Sequence, residues 1–568
     1  MMNKRTFSPN KNIPYDLILV PIFVLLCFYL VVFQLEQSIE VQQFLTVEKE
    51  QSNLLSLRSV ENSSGFSHMQ RSVQHVAQYP RVSSFSAMKF HFDEPIQVSR
   101  SFSETYQDLK SNKIRLVSEN PVSTFSVDVD TGGFSNIRRM LNNGFLPKRN
   151  QIRTEEIINY FEYEYTAPLS KEIPFSLVTN LINSPWNKES HLLHIGLKGY
   201  EEKIDLLPNS NIVFLVDVSG SMQDENKLSL IKKALKLLTN NLRDKDRISL
   251  VTYAGSTDVI LSSTRGSDKG SIIFAIDQLG AGGGTAGESG LRLAYQEAHR
   301  GFIENGNNRI IMMTDGDFNV GLNSVKDLKE LVVKKRETGI YLSTVGFGAG
   351  NYREDMMEQI ADYGNGIYFY IDSYAEAERV FERNLRSNLF AIAKDVKIQI
   401  EFNPKYVSEY RLVGYENRHL ERADFNNDKV DAGEVGQGHS VTAIYEITMQ
   451  GRSGKVDKSR YTQIFSDAKK HSDELAYLKL RYKPIGEINS KVIKNSIGIK
   501  IIEKDNVPLN TKRAVIAASF GELLRKSSYL NRKFDYERLS NMIDDIGTYE
   551  SGDIFELKKL IERARSLE

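Results

Sequence analysis

Oxygen-bearing side chains in three separate segments of the chain are suited to binding a divalent cation. One short segment carries a carboxylate and two hydroxyls at alternate positions, Asp217, Ser219 and Ser221. A later glycine-rich segment ends in the hydroxyl of Thr285, and a third segment supplies the carboxylate of Asp315. Oxygen ligands without a nearby histidine or cysteine favour a hard cation, Mg²⁺ or alternatively Mn²⁺ or Ca²⁺, over zinc or copper. These residues are therefore the predicted metal site.

The elements that must position this site follow an alternating pattern of strands and helices. Apolar segments typical of buried strands lie at 212–216, 248–253, 309–314, 340–347 and 367–371. Helical patterns lie between them at 227–242, 270–279, 287–300 and 324–337. Near-continuous apolar strands indicate a sheet that helices cover on both faces. We predict a doubly wound, mostly parallel, Rossmann-like α/β sheet, in which ligands bind at the carboxyl ends of the strands, where Asp217 and Asp315 lie.

The predicted metal site resembles the metal-ion-dependent adhesion site (MIDAS) of the von Willebrand factor type A (VWA) family. That site reads Asp-x-Ser-x-Ser, then Thr, then Asp, and all five positions match here. The resemblance implies that the two serines and Thr285 bind the ion directly as neutral ligands. It also implies that Asp217 and Asp315 act mainly through bound waters, or one of them directly, and accept the hydroxyl protons. An ion with few anionic ligands would then attract a carboxylate from a partner protein.

Segments outside the α/β unit resemble bacterial envelope proteins that contain a VWA domain. The matching segments are 123–130, 153–165, 184–187 and 431–439. Such proteins carry a conserved segment before the VWA domain and a C-terminal domain of unknown function. Alternating polar and apolar residues on both sides of the α/β unit predict that it is inserted in one β-rich domain with C-terminal helices. Two independent β modules are the alternative.

A chain of 568 residues is longer than one hydrophobic core usually accommodates, so we expect several regions. The predicted regions, in chain order, are a cytoplasmic N-terminus (1–16), a transmembrane signal anchor (17–33), a flexible tether (34–115), an N-terminal β-rich segment (116–205), the VWA domain (206–390) and a C-terminal β-rich and helical domain (391–568).

The anchor is predicted because residues 17–33 are apolar and uncharged and are just long enough to span a bilayer core as a helix. Lys4 and Arg5 precede this segment, and Glu36 follows it. The positive-inside rule therefore predicts one membrane pass, with most of the chain in the periplasm or at the cell surface. Cleavage of the segment and lipidation of Cys27 are alternatives. Small residues are missing at its end, and Leu26 precedes the cysteine, so both are disfavoured.

Composition and motif spacing argue against several other functions. Basic and acidic residues number 73 each, so no overall field favours binding to nucleic acid. The residues two positions before and after Ser219 are Asp217 and Ser221 rather than the glycines of a nucleophile elbow. The glycines at 282–284 are not followed by the lysine of a phosphate-binding loop. We therefore predict no catalytic residue, no organic cofactor and no enzymatic activity.

Two functions remain as hypotheses. The first is a membrane-anchored adhesion or interaction module, whose metal ion captures an Asp or Glu of a partner protein. The second is an assembly or maturation factor for an envelope complex that works with an AAA+ ATPase. ATP-driven partners are cytoplasmic, so a protease-accessible, extracytoplasmic VWA domain would argue against the second hypothesis.

Overall fold

The computed structural model describes residues 104–108, 110–316, 325–350, 352–457, 473–547 and 552–568. They belong to one structural unit, Val98–Glu568, while the other unit, Met1–Gln97, contains no described residue. The predicted anchor, Cys27 and most of the predicted tether lie outside the described residues. Within the described part of the chain, no helix combines the length and the apolar character needed to cross a membrane.

The segment before the α/β unit forms strands and two α-helices that begin the β-rich part of the fold. Its elements are β1 (Arg115–Leu116), β2 (Val122–Ser126), α1 (Gly132–Asn142), α2 (Thr154–Tyr160), β3 (Phe175–Asn183) and β4 (Ser190–Gly199).

The α/β unit contains a mixed sheet with the strand order β10-β9-β8-β5-β6-β7. Its strands are β5 (Ser210–Asp217), β6 (Arg247–Tyr253), β7 (Thr257–Arg265), β8 (Asn307–Thr314), β9 (Ile340–Phe347) and β10 (Tyr368–Ile371). Its helices are α3 (Leu230–Asn241), α4 (Lys269–Asp277), α5 (Gly287–Arg300), α6 (Val325–Arg336), α7 (Glu354–Tyr363), α8 (Tyr374–Glu378) and α9 (Leu385–Leu389).

Strand β5 explains why the sequence shows a continuous apolar segment at the centre of this sheet. Successive side chains of a strand point to opposite faces. Phe214 and Val216 pack in the core that includes residues of α3 and α4, whereas Val213 and Leu215 pack in the core that includes residues of α5, α6 and α7. The α/β fold predicted from the sequence is therefore confirmed. The sequence analysis missed α7 and the antiparallel edge strand β7, which has no buried residue and exposes Ile260 as well as polar side chains.

The segment after the α/β unit completes the β-rich part and ends in helices. Its elements are β11 (Ala391–Phe402), β12 (Val407–Val413), β13 (Val435–Gly436), β14 (Ser440–Met449), β15 (Glu474–Pro484), β16 (Lys491–Gly498), β17 (Ile501–Ile502), α10 (Leu509–Leu524), α11 (Tyr536–Asp544) and α12 (Gly552–Leu567).

Strands from both sides of the α/β unit pair with each other in two further sheets. One sheet has the order β1-β12-β14-β4-β3-β17, and the other has the order β13-β11-β15-β16 with β2 also paired to β11. Strand β4 pairs antiparallel with β14 from Ser190↔Thr448 to Lys198↔Ser440. Neither sheet is complete without residues from both flanks, which does not fit two independent β modules. A shared apolar core, with Ile195 of β4 and Ile398 of β11, lies between the sheets.

Buried ion pairs connect the flanking segments to helix α7 of the α/β unit. Arg153 donates to Glu354 at 3.2 Å and to Glu358 at 2.8 Å. Arg418 contacts four carboxylates, those of Asp128, Asp130, Glu358 and Asp362, at distances between 2.8 and 3.3 Å. Both guanidinium groups are largely buried, so loss of either one would leave carboxylates unpaired in a medium that solvates charge poorly.

Carboxyl groups outnumber guanidinium groups in this buried cluster, as far as the described residues show. Burial and, to a smaller extent, the charge of Glu416 raise the pKa of Glu155 to about 7 against the opposing effect of Arg153. Burial also raises the pKa of Glu354 to about 7 against the effect of Arg153. A carboxyl whose pKa is higher in the folded state than in the unfolded chain stabilises the fold below its unfolded pKa. That stabilisation is lost as the pH rises toward 7.

We predict that Glu155→Gln reduces the loss of stability between pH 5 and pH 8. The Oε2 atom of Glu155 accepts the N–H of Tyr415 at 2.9 Å, and a glutamine carbonyl can take over this bond. The Oε1 atom has no hydrogen-bond partner among the described residues. The variant should unfold with a free energy about 1–3 kcal/mol higher than the wild type at pH 8 and nearly equal at pH 5.

Urea denaturation at both pH values measures this effect, and the exposed Glu119→Gln is the matched control. Equal pH dependence of the wild type and Glu155→Gln would contradict the prediction.

Candidate metal centre

Asp217 lies at the carboxyl end of the central strand β5 and is fully buried. Its Oδ1 atom accepts the backbone N–H of Ser219 at 2.9 Å, and its Oδ2 atom accepts the hydroxyl of Thr314 at 3.0 Å. Strands β5 and β8 run parallel and pair directly, so their carboxyl ends meet at one edge of the sheet. The carboxylate of Asp217 on β5 is thereby held by the hydroxyl of Thr314 at the end of the neighbouring strand β8.

The two serines after Asp217 present adjacent hydroxyl groups. The Oγ atoms of Ser219 and Ser221 lie 3.0 Å apart. Ser219 has an extended backbone and begins a tight helical turn, Gly220–Gln223, which brings Ser221 back toward it. Ser219 is buried and Ser221 is half-buried, so the pair lies at the boundary between the core and the surface.

The glycine-rich segment before Thr285 is hydrogen-bonded to this serine loop. Gly220 donates its N–H to the carbonyl of Gly283 at 3.1 Å, and Gly282 donates to the carbonyl of Val218 at 2.7 Å. Gly283 has φ +85°, and a Cβ atom there would lie 3.0 Å from the backbone nitrogen of Gly255. A side chain at this position would therefore disturb the contact between the loops. Thr285 follows two residues later and is half-buried.

Asp315 directly follows strand β8 and is also buried. Its Oδ2 atom accepts a hydrogen bond from the ammonium group of Lys227 at 3.0 Å. The next residue, Gly316, has φ +86°, and a Cβ atom there would lie 2.7 Å from the nitrogen of Arg353. A residue other than glycine would therefore be strained at this position and would clash with that backbone nitrogen.

Burial is the largest influence on the pKa of Asp217. It raises the pKa of Asp217, the hydrogen bonds from Ser219 and Thr314 oppose this effect, and the charge of Asp315 adds to it. Burial also raises the pKa of Tyr253, whose ring lies beside the site, and the charge of Asp217 raises it further. A divalent cation would relieve the repulsion between the carboxylates, since it supplies two positive charges.

The chemistry of these side chains fits a hard divalent cation. Two carboxylates and three hydroxyls are oxygen ligands of the kind that Mg²⁺ uses, together with water. Among the described residues, no group of three or more His, Cys, Asp or Glu side chains could hold a metal ion. The candidate set contains only two such residues, because its remaining members are hydroxyls. Binding of the ion by Asp217, Ser219, Ser221, Thr285 and Asp315 thus stays a prediction.

The family comparisons show that the chain is a VWA-domain protein, as the sequence resemblance indicated. The family described as von Willebrand factor type A domain matches residues 211–383, and the family described as von Willebrand factor matches residues 100–194. The family described as Uncharacterized protein YfbK, C-terminal, matches residues 387–567. The chain belongs to the family of the uncharacterized protein YfbK of Escherichia coli (strain K12), with 46% identity over 435 residues that cover 75% of each chain.

More distant relatives share only parts of the chain. The uncharacterized protein sll0103 of Synechocystis is 32% identical over 173 residues, which cover 30% of this chain and 40% of the relative. A solved structure of von Willebrand factor type A from Catenulispora acidiphila is 15% identical, with a TM-score of 0.37, and covers 68% of this chain and 89% of that one.

Two side chains at the site were missed by the sequence analysis, Lys227 and Thr314. Thr314 was placed at the end of a strand but given no role, although its hydroxyl contacts Asp217. Lys227 lies before a helix, where lysines are usually solvated, and nothing in its local spacing indicates that it reaches Asp315. The contact between Thr314 and Asp217 follows from the pairing of their strands. The contact between Lys227 and Asp315 depends on the conformation of a long side chain.

We predict that Thr314→Val destabilises the protein although it preserves side-chain shape. The hydroxyl of Thr314 donates to Asp217 and accepts the N–H of Gly316 at 3.1 Å, and valine can do neither. The free energy of unfolding should fall by about 1–3 kcal/mol, because buried polar groups lose their partners. Chemical denaturation measures this loss, with Thr264→Val on the edge strand β7 as control. Identical midpoints for both variants would count against the proposed role of Thr314.

Proposed function

We propose that the chain is a protein-interaction module that holds a divalent cation, Mg²⁺ foremost and Mn²⁺ or Ca²⁺ as alternatives, in its VWA domain. The proposed ligands are Asp217, Ser219, Ser221, Thr285 and Asp315, and the ion binds an Asp or Glu side chain of a partner protein. The main support is one observation. The serine loop, the glycine loop and the ends of β5 and β8 are hydrogen-bonded together at one edge of the sheet.

The proposed role of each ligand follows from the hydrogen bonds that its side chain makes in the structure. Both carboxylate oxygens of Asp217 accept hydrogen bonds from the protein, so this residue is suited to orient hydroxyls and waters around the ion. The hydroxyls of Ser219 and Ser221 are neutral and adjacent, and they are suited to bind the ion directly. An ion with mainly neutral ligands keeps a strong affinity for an incoming carboxylate. Binding would replace a water, so a dry rim favours it.

The proposal is non-enzymatic. A general base needs a free lone pair within reach of a substrate proton. The segments that form the site, 217–221, 282–285 and 314–316, contain no histidine, cysteine or glutamate, and both of their aspartates are assigned to the ion. The proposal therefore gives no side chain of the site the role of a general base.

The proposed module is attached to a membrane through residues 17–33, with the remainder of the chain in the periplasm or at the cell surface. The apolar character of this segment and the basic residues before it support this placement. We further propose that the VWA domain spans 206–390 between flanks 116–205 and 391–568. The pairing of β4 with β14 and of β2 with β11 supports these boundaries.

We predict that Asp217→Asn weakens divalent-ion binding by the purified full-length chain at least tenfold. Asparagine keeps an oxygen to accept the N–H of Ser219 and can pair with Thr314, so the fold should survive while the negative charge is lost. Isothermal titration with Mg²⁺ and with Mn²⁺ measures the affinity. The control is Asp258→Asn, which removes an exposed carboxylate from the same domain. Unchanged affinity in Asp217→Asn would overturn the assignment of this ligand.

Partner capture provides a second measurement for the same variant. Chemical crosslinking in intact cells, followed by mass spectrometry, should recover proteins with the wild type that disappear after chelation by EDTA. The same proteins should be absent with Asp217→Asn and present with Asp258→Asn. Capture that survives both EDTA and the Asp217 substitution would exclude a metal-dependent interaction.

A further inference from the structure

Lys227 places a positive charge inside the candidate metal centre. Its side chain is only 8% exposed. The ammonium group donates to the Oδ2 atom of Asp315 at 3.0 Å and to the backbone carbonyl of Ser221 at 3.0 Å. Asp224 lies farther away, at 3.8 Å, and is mostly exposed. One cation of the protein therefore contacts two of the residues proposed to surround the metal ion.

The position of this ammonium group is determined by the surrounding backbone. Lys227 lies in a wide helical turn, Glu225–Ser229, that leads into α3, and its N–H donates to the carbonyl of Asp224 at 3.0 Å. Its aliphatic stem passes directly over Gly348 at the end of β9, where φ is +75° and a Cβ atom would overlap the stem. The stem of Lys227 is therefore packed against the backbone between the helical turn and Asp315, unlike that of a solvated surface lysine.

The charges at the site suggest what this lysine does. Asp217 and Asp315 together carry two negative charges, which a divalent ion alone would neutralise. With Lys227 included, the loaded site keeps one positive charge in excess. An excess positive charge at a buried site repels the metal ion itself and attracts a carboxylate. The partner carboxylate would then restore neutrality.

We propose that Lys227 couples metal binding to carboxylate binding: it weakens the affinity of the site for the bare ion and strengthens the affinity of the loaded site for a partner carboxylate. This inference rests on the proposed function, since it concerns the same ion and the same partner group. It adds a specificity-determining residue outside the five proposed ligands. If the bound ion raises the affinity of the site for the partner carboxylate, the carboxylate raises the affinity for the ion by the same factor, because coupling between two ligands is reciprocal.

The test is isothermal titration of the full-length chain with Mn²⁺, in excess acetate and in chloride of equal ionic strength. Acetate serves as the carboxylate probe. The wild type should bind Mn²⁺ several-fold more tightly in acetate than in chloride. Lys227→Met, which keeps most of the stem, should bind Mn²⁺ roughly tenfold more tightly than the wild type in chloride and gain little from acetate. Lys233→Met, at an exposed position on α3, should behave as the wild type.

The outcomes separate this inference from the proposed function. If Asp217→Asn loses Mn²⁺ binding but Lys227→Met binds as the wild type does in both anions, the metal site stands and the role of Lys227 is refuted. Binding of Mn²⁺ by Lys227→Met but not by the wild type in chloride would support the inference. If neither protein binds Mn²⁺ in either anion, the proposed function itself fails. Should Lys227→Met not fold, Lys227→Gln takes its place in the same titrations, since it also removes the charge; affinities equal to those of the wild type in both anions would refute the role of Lys227.

Discussion

A carboxylate buried at the end of the central strand is the constraint on which the rest of the candidate site depends. Asp217 must be hydrogen-bonded because an unpaired buried charge is costly. Its partners are the N–H of Ser219 and the hydroxyl of Thr314, so the same bonds that satisfy Asp217 also shape the serine loop and connect it to β8. Asp315 follows Thr314 directly. Parallel pairing of β5 and β8 thus gathers residues that lie far apart in the chain.

The flanking segments contact the α/β unit close to this site. Gly316, next to Asp315, packs against the backbone of Arg353, just before helix α7 begins. Arg153 binds Glu354 at the start of that helix, and Thr105 donates its N–H to the carbonyl of Tyr352 at 3.0 Å. Residues that precede the VWA domain in the chain therefore help to hold the loop beside Asp315. This arrangement gives a physical reason for a VWA domain to be built into a larger fold and not attached at one end.

Two buried charge clusters lie in the same molecule, and carboxylates outnumber cationic side chains in both. Carboxylates are in excess around Arg153 and Arg418, where burial raises the pKa of Glu155 and of Glu354 to about 7. At the candidate metal centre, Lys227 offsets part of the negative charge before any ion is considered. Charge balance in the first cluster affects stability as the pH changes. In the second, we propose, it affects which ligands bind, because the groups there lie at the carboxyl edge of the sheet.

The sequence by itself determined the α/β class, the strands that end in Asp217 and Asp315, and the VWA family. These features follow from local periodicity and motif spacing, which a linear chain displays directly. The edge strand β7 was missed because it has no buried residue and contains only a short apolar segment, 259–261. Only the tertiary structure decided that β4 pairs with β14, that Arg418 gathers Asp128, Asp130, Glu358 and Asp362, and that Lys227 reaches Asp315. Such contacts join residues distant in the chain, and no local pattern specifies which distant charges will meet.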